Sequence, residues 1–579
     1  MIIQALNEYY ERKAADPDSD IPPFGWELKE IPFIVVLDQK GSLVTIEDTR
    51  EGEGKKKKGK VFLVPQGVKK TSGIAANLLW DSAAYVFGLD TKNKPQRAAM
   101  QKEAFLHRLK EELGELPIIR SVIQFLETVT NEVLSQQAVW QEIVDTNPFI
   151  SFRMNTDLNL ICRRPEVIEK ISILSASSTT GEIGVCLVTG KVGAIKSLHT
   201  AIKGVYGAQT SGANIVSFNL DPFCSYGKKQ GYNAPMISET EFNYTTALNL
   251  LLRRGSNQRI SVGDASTVFW SEKETRFESD FSLFFQEPPK DDPGLGTEKI
   301  KQLLDSIHTG TYVDDDGDIK FYILGLAPNA ARISIRFWHM GTISQFAKRI
   351  KQYFDDFAIV KPPNEPEYYS IWRILVNIAT QDKSENIPPN LAGDFMRAIL
   401  EGTPYPATLL QAALRRIRSD TEYRVKPVRA ALIKAYLNRY YRFYPNESHK
   451  EVGVSLDKYQ PSVGYHLGRL FAVLEKIQEE ANPNLNATIR ERYYGAACAQ
   501  PVTVFANLLR LKNHHLAKLE NKGRVVNFEI MLSEILANVE DFPAYLDLHE
   551  QGRFAVGYYH QRQWFYSKKN ETRKGDLND

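Results

Sequence analysis

Val61-Phe-Leu-Val64-Pro-Gln-Gly-Val-Lys69-Lys70-Thr71-Ser72-Gly73-Ile-Ala-Ala-Asn77-Leu-Leu-Trp80 changes character twice. An apolar run of β type gives way at Pro65 to a basic, turn-forming stretch, which leads into an apolar run that reads as a buried helix from Ile74. Strand, polar loop and helix in immediate succession predict an α+β arrangement. Thr71 and Ser72 then stand at the helix N-cap, Lys69 and Lys70 bring charge to it, and Gly73 lets another backbone come close. A helix N-terminus offers free N–H groups and a partial positive charge, which suits phosphate. Lys55-Lys56-Lys57-Lys58-Gly59-Lys60 comes just before, so two basic clusters flank one short strand. A second Thr-Ser-Gly, at Thr210-Ser211-Gly212, sits in a stretch from Gly207 to Asn219 rich in amides and hydroxyls able to read polar edges.

Toward the N-terminus, Ile2, Leu6, Tyr9 and Tyr10 share one side of a helix over Ile2 to Ala14. Ile31 to Asp38 and Ser42 to Asp48 read as a hairpin turning at Gln39-Lys40-Gly41. Helices are expected from Ile74 to about Asp145. Beyond them come short strands at Phe149–Met154, Leu158–Arg163, Gly184–Val188, Ile215–Asn219 and Thr267–Ser271, and a helix over about Glu239–Arg254. Proline-rich joints at Pro288–Pro293 and Lys361–Pro366 bracket a further small sheet, in which Ile333, Ile335 and Phe337 share one face and Arg332, Ser334, Arg336 and Trp338 the other. From Tyr368 the chain reads as helical, with five amphipathic helices after about residue 450. The expected organisation is α+β and multidomain, with mixed sheets and helices in the N-terminal two thirds and an all-helical bundle at the C-terminus. Its segments are 1–145, 146–290, 291–365, a basic helical region at 366–450, and the bundle at 451–579.

The chain has 579 residues and a net charge of only +2, which argues against a uniformly basic nucleic-acid coat. Charge is instead concentrated. Arg415, Arg416, Arg418, Arg424, Lys426, Arg429, Lys434, Arg439 and Arg442 interleave with Tyr423, Tyr436, Tyr440 and Tyr441. Two readings stand side by side: a single-strand groove with cations on phosphates and rings under bases, or a solvated basic helix face with its tyrosines in the core. Cys162, Cys186, Cys224 and Cys498 are too few and too scattered for a disulfide framework or a familiar zinc module, and read as reduced. No apolar run is long enough to span a membrane and the N-terminus lacks a signal-peptide core, so the expected location is the cytoplasm.

The chemistry of an enzyme is missing from the sequence pattern. There is no P-loop, no His-Glu-x-x-His and no nucleophile elbow, and His514-His515 point about 100° apart on a helix. Asp314-Asp315-Asp316-Gly317-Asp318 has its glycine misplaced for a calcium loop and reads as a hairpin turn. Neither a metal nor a cofactor is expected. The enzymatic alternative is a divergent metal-dependent nuclease using Asp314, Asp316 and Asp318, and the third reading is a scaffold that docks only proteins.

Several long motifs carry a resemblance. Ile31-Pro-Phe-Ile-Val-Val-Leu-Asp38, Glu47-Asp-Thr-Arg-Glu-Gly-Glu-Gly-Lys55, Val64-Pro-Gln-Gly-Val-Lys69 and Thr71 to Asp81 closely resemble the large subunit of the type I-C CRISPR surveillance complex, Cascade. The likeness continues through Gly207–Asn214, Ser225-Tyr-Gly-Lys228, Ala327–Arg332, Arg336-Phe-Trp-His339, Gly468–Glu475 and Gly557–Arg562. It implies a non-catalytic subunit that joins the CRISPR guide RNA, the backbone and guide-end subunits and small-subunit copies. Such a subunit recognises the protospacer-adjacent motif on double-stranded target DNA, promotes R-loop formation, holds the displaced strand and supports recruitment of a nuclease-helicase, with no membrane partner. Base pairing then reads the sequence while protein reads a short flanking motif. The resemblance also implies separate synthesis of the C-terminal segment from an internal start. No methionine lies near residue 450, so that start would correspond to Val452, Val454 or Leu456.

With that role, residue chemistry puts motif recognition on Lys69, Lys70, Thr71, Ser72 and Asn77, with Gln209, Ser211 and Asn214 as a second loop. Asn77, a turn inside the expected helix, has a structural alternative as a cap on a neighbouring loop. Phosphate contact falls to Lys55, Lys56, Lys57, Lys58 and Lys60, against the alternative of a solvated loop. Displaced-strand candidates are Arg415, Arg416, Arg418, Arg424, Lys426 and Arg429, together with Lys512 and Lys518.

Overall fold

The computed structural model describes the chain apart from residues 53–56, 69, 71–72, 91–92, 178–180, 264, 286–299, 303–304, 306–316, 421–424, 447–448, 484, 486 and 576–579, and apart from the side chains of 176–177, 389 and 567–575. It packs as two compact units. The first is Met1–Ala201 with Val216–Leu250, and the second is Ile202–Ile215 with Leu251–Asp579.

In the first unit the strands are β1 (Trp26–Glu30), β2 (Phe33–Leu37), β3 (Leu43–Asp48), β4 (Val61–Pro65), β5 (Trp80–Ser82), β6 (Phe149–Met154), β7 (Ile183–Val185) and β8 (Val192–Ala194). One sheet has the order β3-β2-β6-β5, with β2 and β6 parallel at its centre. Parallel neighbours need a crossover, and the helices Pro95–Leu113 and Pro117–Thr128 lie within it. Both open with proline in the first turn, where a missing N–H costs nothing. Every residue of β2 is buried, as expected of a central strand covered on both faces. Phe105 and Phe125 pack against Phe152 of β6 at ring-centroid distances of 6.2 and 6.5 Å. Strands β1 and β4 form a separate antiparallel pair, as do β7 and β8.

The α+β expectation holds, as do the Ile2–Ala14 helix and the hairpin of β2 and β3. Three elements differ. The run from Ile74 is not helical, and the first helix after β5 is the short Ala83–Phe87. Leu79 takes a positive φ of 62°, and Arg108 Nη1 captures the Ala76 carbonyl at 2.5 Å, so backbone groups a helix would use are claimed elsewhere. Residues Ile161–Arg163 form a 3₁₀ turn rather than part of a strand, followed by the helix Pro165–Ser177. The stretch Val216–Asn219 is irregular.

The second unit carries β9 (Arg259–Val262), β10 (Ala265–Ser271), β11 (Lys320–Asn329) and β12 (Arg332–Thr342) in one antiparallel sheet of order β12-β11-β10-β9. The strands expected to form a separate small sheet therefore extend the sheet begun by β9 and β10. Gly325 lies opposite Phe337 and Leu326 opposite Ile335, leaving Arg336 as the extra residue of a β-bulge. That extra residue breaks the alternation between Ile335, which is 44% exposed, and Phe337, which is buried. Phe269, Phe321, Ile323 and Phe337 lie in one core with Phe346 and Ile350 of the helix Ile343–Phe357, which begins with a Thr342/Gln345 capping box.

This core continues through the helices Ile371–Ile378, Pro389–Glu401, Ala407–Ser419, Pro427–Phe443, Val463–Ala481 and Leu548–Gly575. Among the described residues, the same core runs on past residue 450. Val452 is buried, and the Asn438 carboxamide grips both its backbone groups at 2.8 Å. The helices Val463–Ala481 and Leu548–Gly575 approach so closely that a methyl on Gly468 would land on the Phe554 carbonyl, and one on Gly557 on the Tyr465 carbonyl. Among the described residues no helix is long and apolar enough to cross a membrane.

Candidate nucleic-acid interface

The loop from Gln66 to Leu79 is closed at its base. Trp80 Nε1 donates to the Pro65 carbonyl at 2.7 Å, and Gln66 N to the Gly25 carbonyl at 2.8 Å. Inside it, Asn77 Oδ1 accepts the Val68 N–H at 3.0 Å. The fully buried Asp81 carboxylate accepts the backbone N–H groups of Asn77 and Ser82 at 2.8 and 2.7 Å. Lys70 Nζ meets both its oxygens at 2.5 and 2.6 Å and lies 3.6 Å from the Tyr85 ring centroid. A buried carboxylate is costly unless paired and hydrogen-bonded, and Lys70 supplies the countercharge.

Lys70 and Asn77 therefore stabilise the loop from within. Asn77 is buried outside any helix, which corrects its expected position, and clasps Val68 as its structural alternative required. Lys69, Thr71 and Ser72 lie outside the described residues. Asp81 escapes sequence reasoning; its only signal there is an acidic residue inside an apolar run.

Of the lysine run, Lys55 and Lys56 lie outside the described residues, while Lys57, Lys58 and Lys60 are exposed. Lys58 exchanges backbone hydrogen bonds with Glu51 at 2.9 and 3.1 Å, and Glu30 Oε1 accepts the Gly59 N–H at 2.7 Å. These ties fix the backbone and leave the lysine side chains in solvent. Nearby, Arg50 bridges Asp48 and Glu142 and holds both carboxyls below the usual range, with Lys57 adding a smaller contribution.

The loop between Ile202 and Asn214 belongs to the second unit. Ile202 and Ala213 exchange backbone hydrogen bonds at 2.8 and 2.9 Å, and the Asn214 carbonyl accepts Ile333 N at 3.0 Å, which docks the neck on the edge strand β12. Gly212 N donates to the Gln209 carbonyl at 2.9 Å to close the tip, and Gly212 has φ 95°. Gln209 and Ser211 are exposed, whereas Asn214 is half-buried. The result is a closed neck presenting an amide and a hydroxyl. Lys70 with Asn77, and Gln209 with Ser211 and Asn214, thus belong to different compact units.

The basic helical stretch turns inward. Residues Pro427–Arg439 are buried, and Arg429 is fully so, donating to Asp420 at 2.8 Å, to Asp382 at 3.2 Å and to the Asn377 carbonyl at 2.8 Å. Arg416 and Lys426 reach the same Asp382 at 3.2 and 2.7 Å, and Arg418 donates to Gln551. Further along, the buried Asp356 carboxylate receives Arg442 at 2.5 Å, Arg439 at 3.5 Å and the Tyr405 hydroxyl at 3.2 Å. Lys434 donates to the Asp356 carbonyl at 2.8 Å, and burial pulls its pKa down to about 8.

Neither a strand groove nor a solvated face describes the Pro427–Arg439 part of this segment, because its cations are buried and its acceptors internal. Arg415 and Arg418 remain exposed, and Arg424 lies outside the described residues. Lys512 pairs with Glu529 at 3.1 Å, and the exposed Lys518 donates to Asn482 at 3.1 Å.

Among the described residues no group of three or more His, Cys, Asp or Glu side chains is placed to hold a metal ion. Asp314 and Asp316 lie outside the described residues, and Asp318 precedes β11.

A family model described as CRISPR-associated protein (Cas_Csd1) matches residues 6–566. No curated protein matches the chain.

Proposed function

We propose, from the premise that the chain belongs to the Cas_Csd1 family of CRISPR-associated proteins, that it is the non-catalytic large subunit of a type I-C RNA-guided surveillance complex. In this reading it recognises a short motif flanking the target on duplex DNA, promotes R-loop formation, and leaves cutting to a recruited nuclease-helicase. The observation that carries the reading is the Ile202–Asn214 loop. Its neck is locked to β12, and its tip offers Gln209 and Ser211 to solvent. A preorganised amide and hydroxyl suit hydrogen bonding to base edges. Lys57, Lys58 and Lys60, exposed on a fixed backbone, suit phosphate contact that positions the duplex without reading it.

The test is duplex binding by the reconstituted, guide-loaded complex across a panel of flanking sequences. Gln209→Ala/Ser211→Ala is expected to flatten discrimination by about 1–3 kcal/mol for each base no longer read. Unchanged discrimination sinks the assignment to this loop. Divalent-metal-dependent cleavage by the purified protein, abolished in an Asp314→Ala/Asp316→Ala/Asp318→Ala variant, would instead support the nuclease alternative. Intact target binding after charge reversal of Lys57, Lys58 and Lys60 would favour a scaffold.

A further inference from the structure

The turn from Ser225 to Asn233, in the first unit, displays an aromatic ring in a way the fold does not use. Tyr226 is 98% exposed, and its backbone lies in the left-handed region at φ 53°, followed by Gly227 at φ 69°. A bulky residue there is strained, and a ring in water forgoes its burial, so both features oppose folding.

The turn is nevertheless built to hold them. Asn233 Oδ1 accepts the Ser225 N–H at 2.9 Å, while its Nδ2 donates to the Lys228 and Gln230 carbonyls at 3.1 and 3.0 Å. Lys228 N closes onto the Ser225 carbonyl at 3.0 Å, and Gly231 N ties the turn to the Ser197 carbonyl at 2.8 Å. One carboxamide thus fixes three backbone positions around the ring. Lys228 and Lys229, immediately after it, are exposed.

We propose that this turn is a stacking platform for an unpaired nucleobase, with Lys228 and Lys229 on the phosphates beside that base. The inference rests on the nucleic-acid reading above and adds a site to it. Ring and cations in one rigid turn match what single-strand binding needs: a face for any base and charge along the backbone. Two cations beside the ring favour a polyanion over an apolar protein surface. The same chemistry would accept an end of the guide RNA or the displaced DNA strand, and the experiment separates them.

Full-length protein is titrated with short single-stranded DNA and RNA oligonucleotides, read by anisotropy and by the fluorescence of a Tyr226→Trp variant. Tyr226→Ala is expected to weaken binding of the preferred strand about tenfold, Tyr226→Phe to keep it, and Tyr226→Trp to be quenched on binding beyond any quenching of wild type. Lys228→Ala/Lys229→Ala lowers both affinity and its salt dependence. An effect confined to DNA identifies the displaced strand, and one confined to RNA the guide. The proposal is overturned if Tyr226→Ala binds both strands as wild type does, if wild type binds neither, or if the variant binds normally but no longer enters the complex, which makes the turn a protein contact. Discrimination among flanking sequences is measured in parallel. If it survives while Tyr226 proves silent, only the platform fails; if wild type shows none, the underlying reading fails too.

Discussion

The helix Pro427–Phe443 and the loop carrying Lys57, Lys58 and Lys60 are both rich in positive charge, and the structure uses that charge in opposite ways. In the helix, Arg429, Lys434 and Arg439 are buried; their hydrogen bonds go to Asp382, Asp420 and backbone carbonyls, and Arg439 is ion-paired to Asp356. In the loop, backbone ties hold the chain and the lysine side chains face water. Burying a cation costs several kcal/mol unless it is paired and hydrogen-bonded, so the inward charges are committed to the fold. Only the outward ones are available to a partner.

The contrast breaks most visibly at Asp356. Asp356→Ala leaves Arg439 buried without its carboxylate, and is expected to destabilise the second unit by about 3–5 kcal/mol in urea denaturation. A destabilisation below about 1 kcal/mol would mean that these inward charges do not depend on one another as described.

A second probe is pH. Because burial lowers the Lys434 pKa to about 8 from an ordinary 10.5, the unfolded chain holds the extra proton across that window, and the contribution of Lys434 to stability rises with pH through it. Below about pH 8 the penalty is present in full. Lys434→Met removes the titration, so the stability of wild type relative to the variant should climb by roughly 3 kcal/mol from pH 8 to 10.5, with Asp356, Arg442 and Glu451 as the charges that tune it. A flat difference contradicts the buried assignment.

Asn77→Ala leaves the Val68 N–H without its acceptor and should cost the first unit about 1–3 kcal/mol, seen as earlier unfolding and faster proteolysis within Gln66–Leu79. The smallest effect belongs to the outward lysines. Lys57→Ala, Lys58→Ala and Lys60→Ala should each change stability by less than about 0.5 kcal/mol in the same denaturation experiment.

The sequence reveals most where local periodicity and burial agree. The Ile2–Ala14 helix and the Phe33–Asp48 hairpin follow from their apolar spacing, and the late helices from theirs. It misleads where a distant group decides. Ile74 to Leu79 has helical composition, yet Asp81 and Arg108 take its backbone groups. Ile335 fits its strand's alternation, but a bulge set by pairing with β11 puts it on the face opposite Phe337. Arg416, Lys426, Arg429, Arg439 and Arg442 read as surface because Asp356 and Asp382, which neutralise them, lie far away along the chain. Of the site, the loop around Thr210-Ser211-Gly212 is visible in sequence as an amide-rich turn, while its docking on β12 through Asn214 and Ile333 is not.

The most direct test of the division between inward and outward charge is the salt dependence of target-duplex binding by complexes verified to contain the subunit. For Lys57→Ala/Lys58→Ala/Lys60→Ala, the slope of log affinity against log salt should fall by roughly 0.9 for each phosphate that a lysine no longer neutralises, while Arg416→Ala/Lys426→Ala, which removes cations paired to Asp382, leaves the slope unchanged. The reverse pattern, a slope insensitive to the loop lysines and flattened by Arg416 and Lys426, would place the nucleic acid on the helical region and contradict the account.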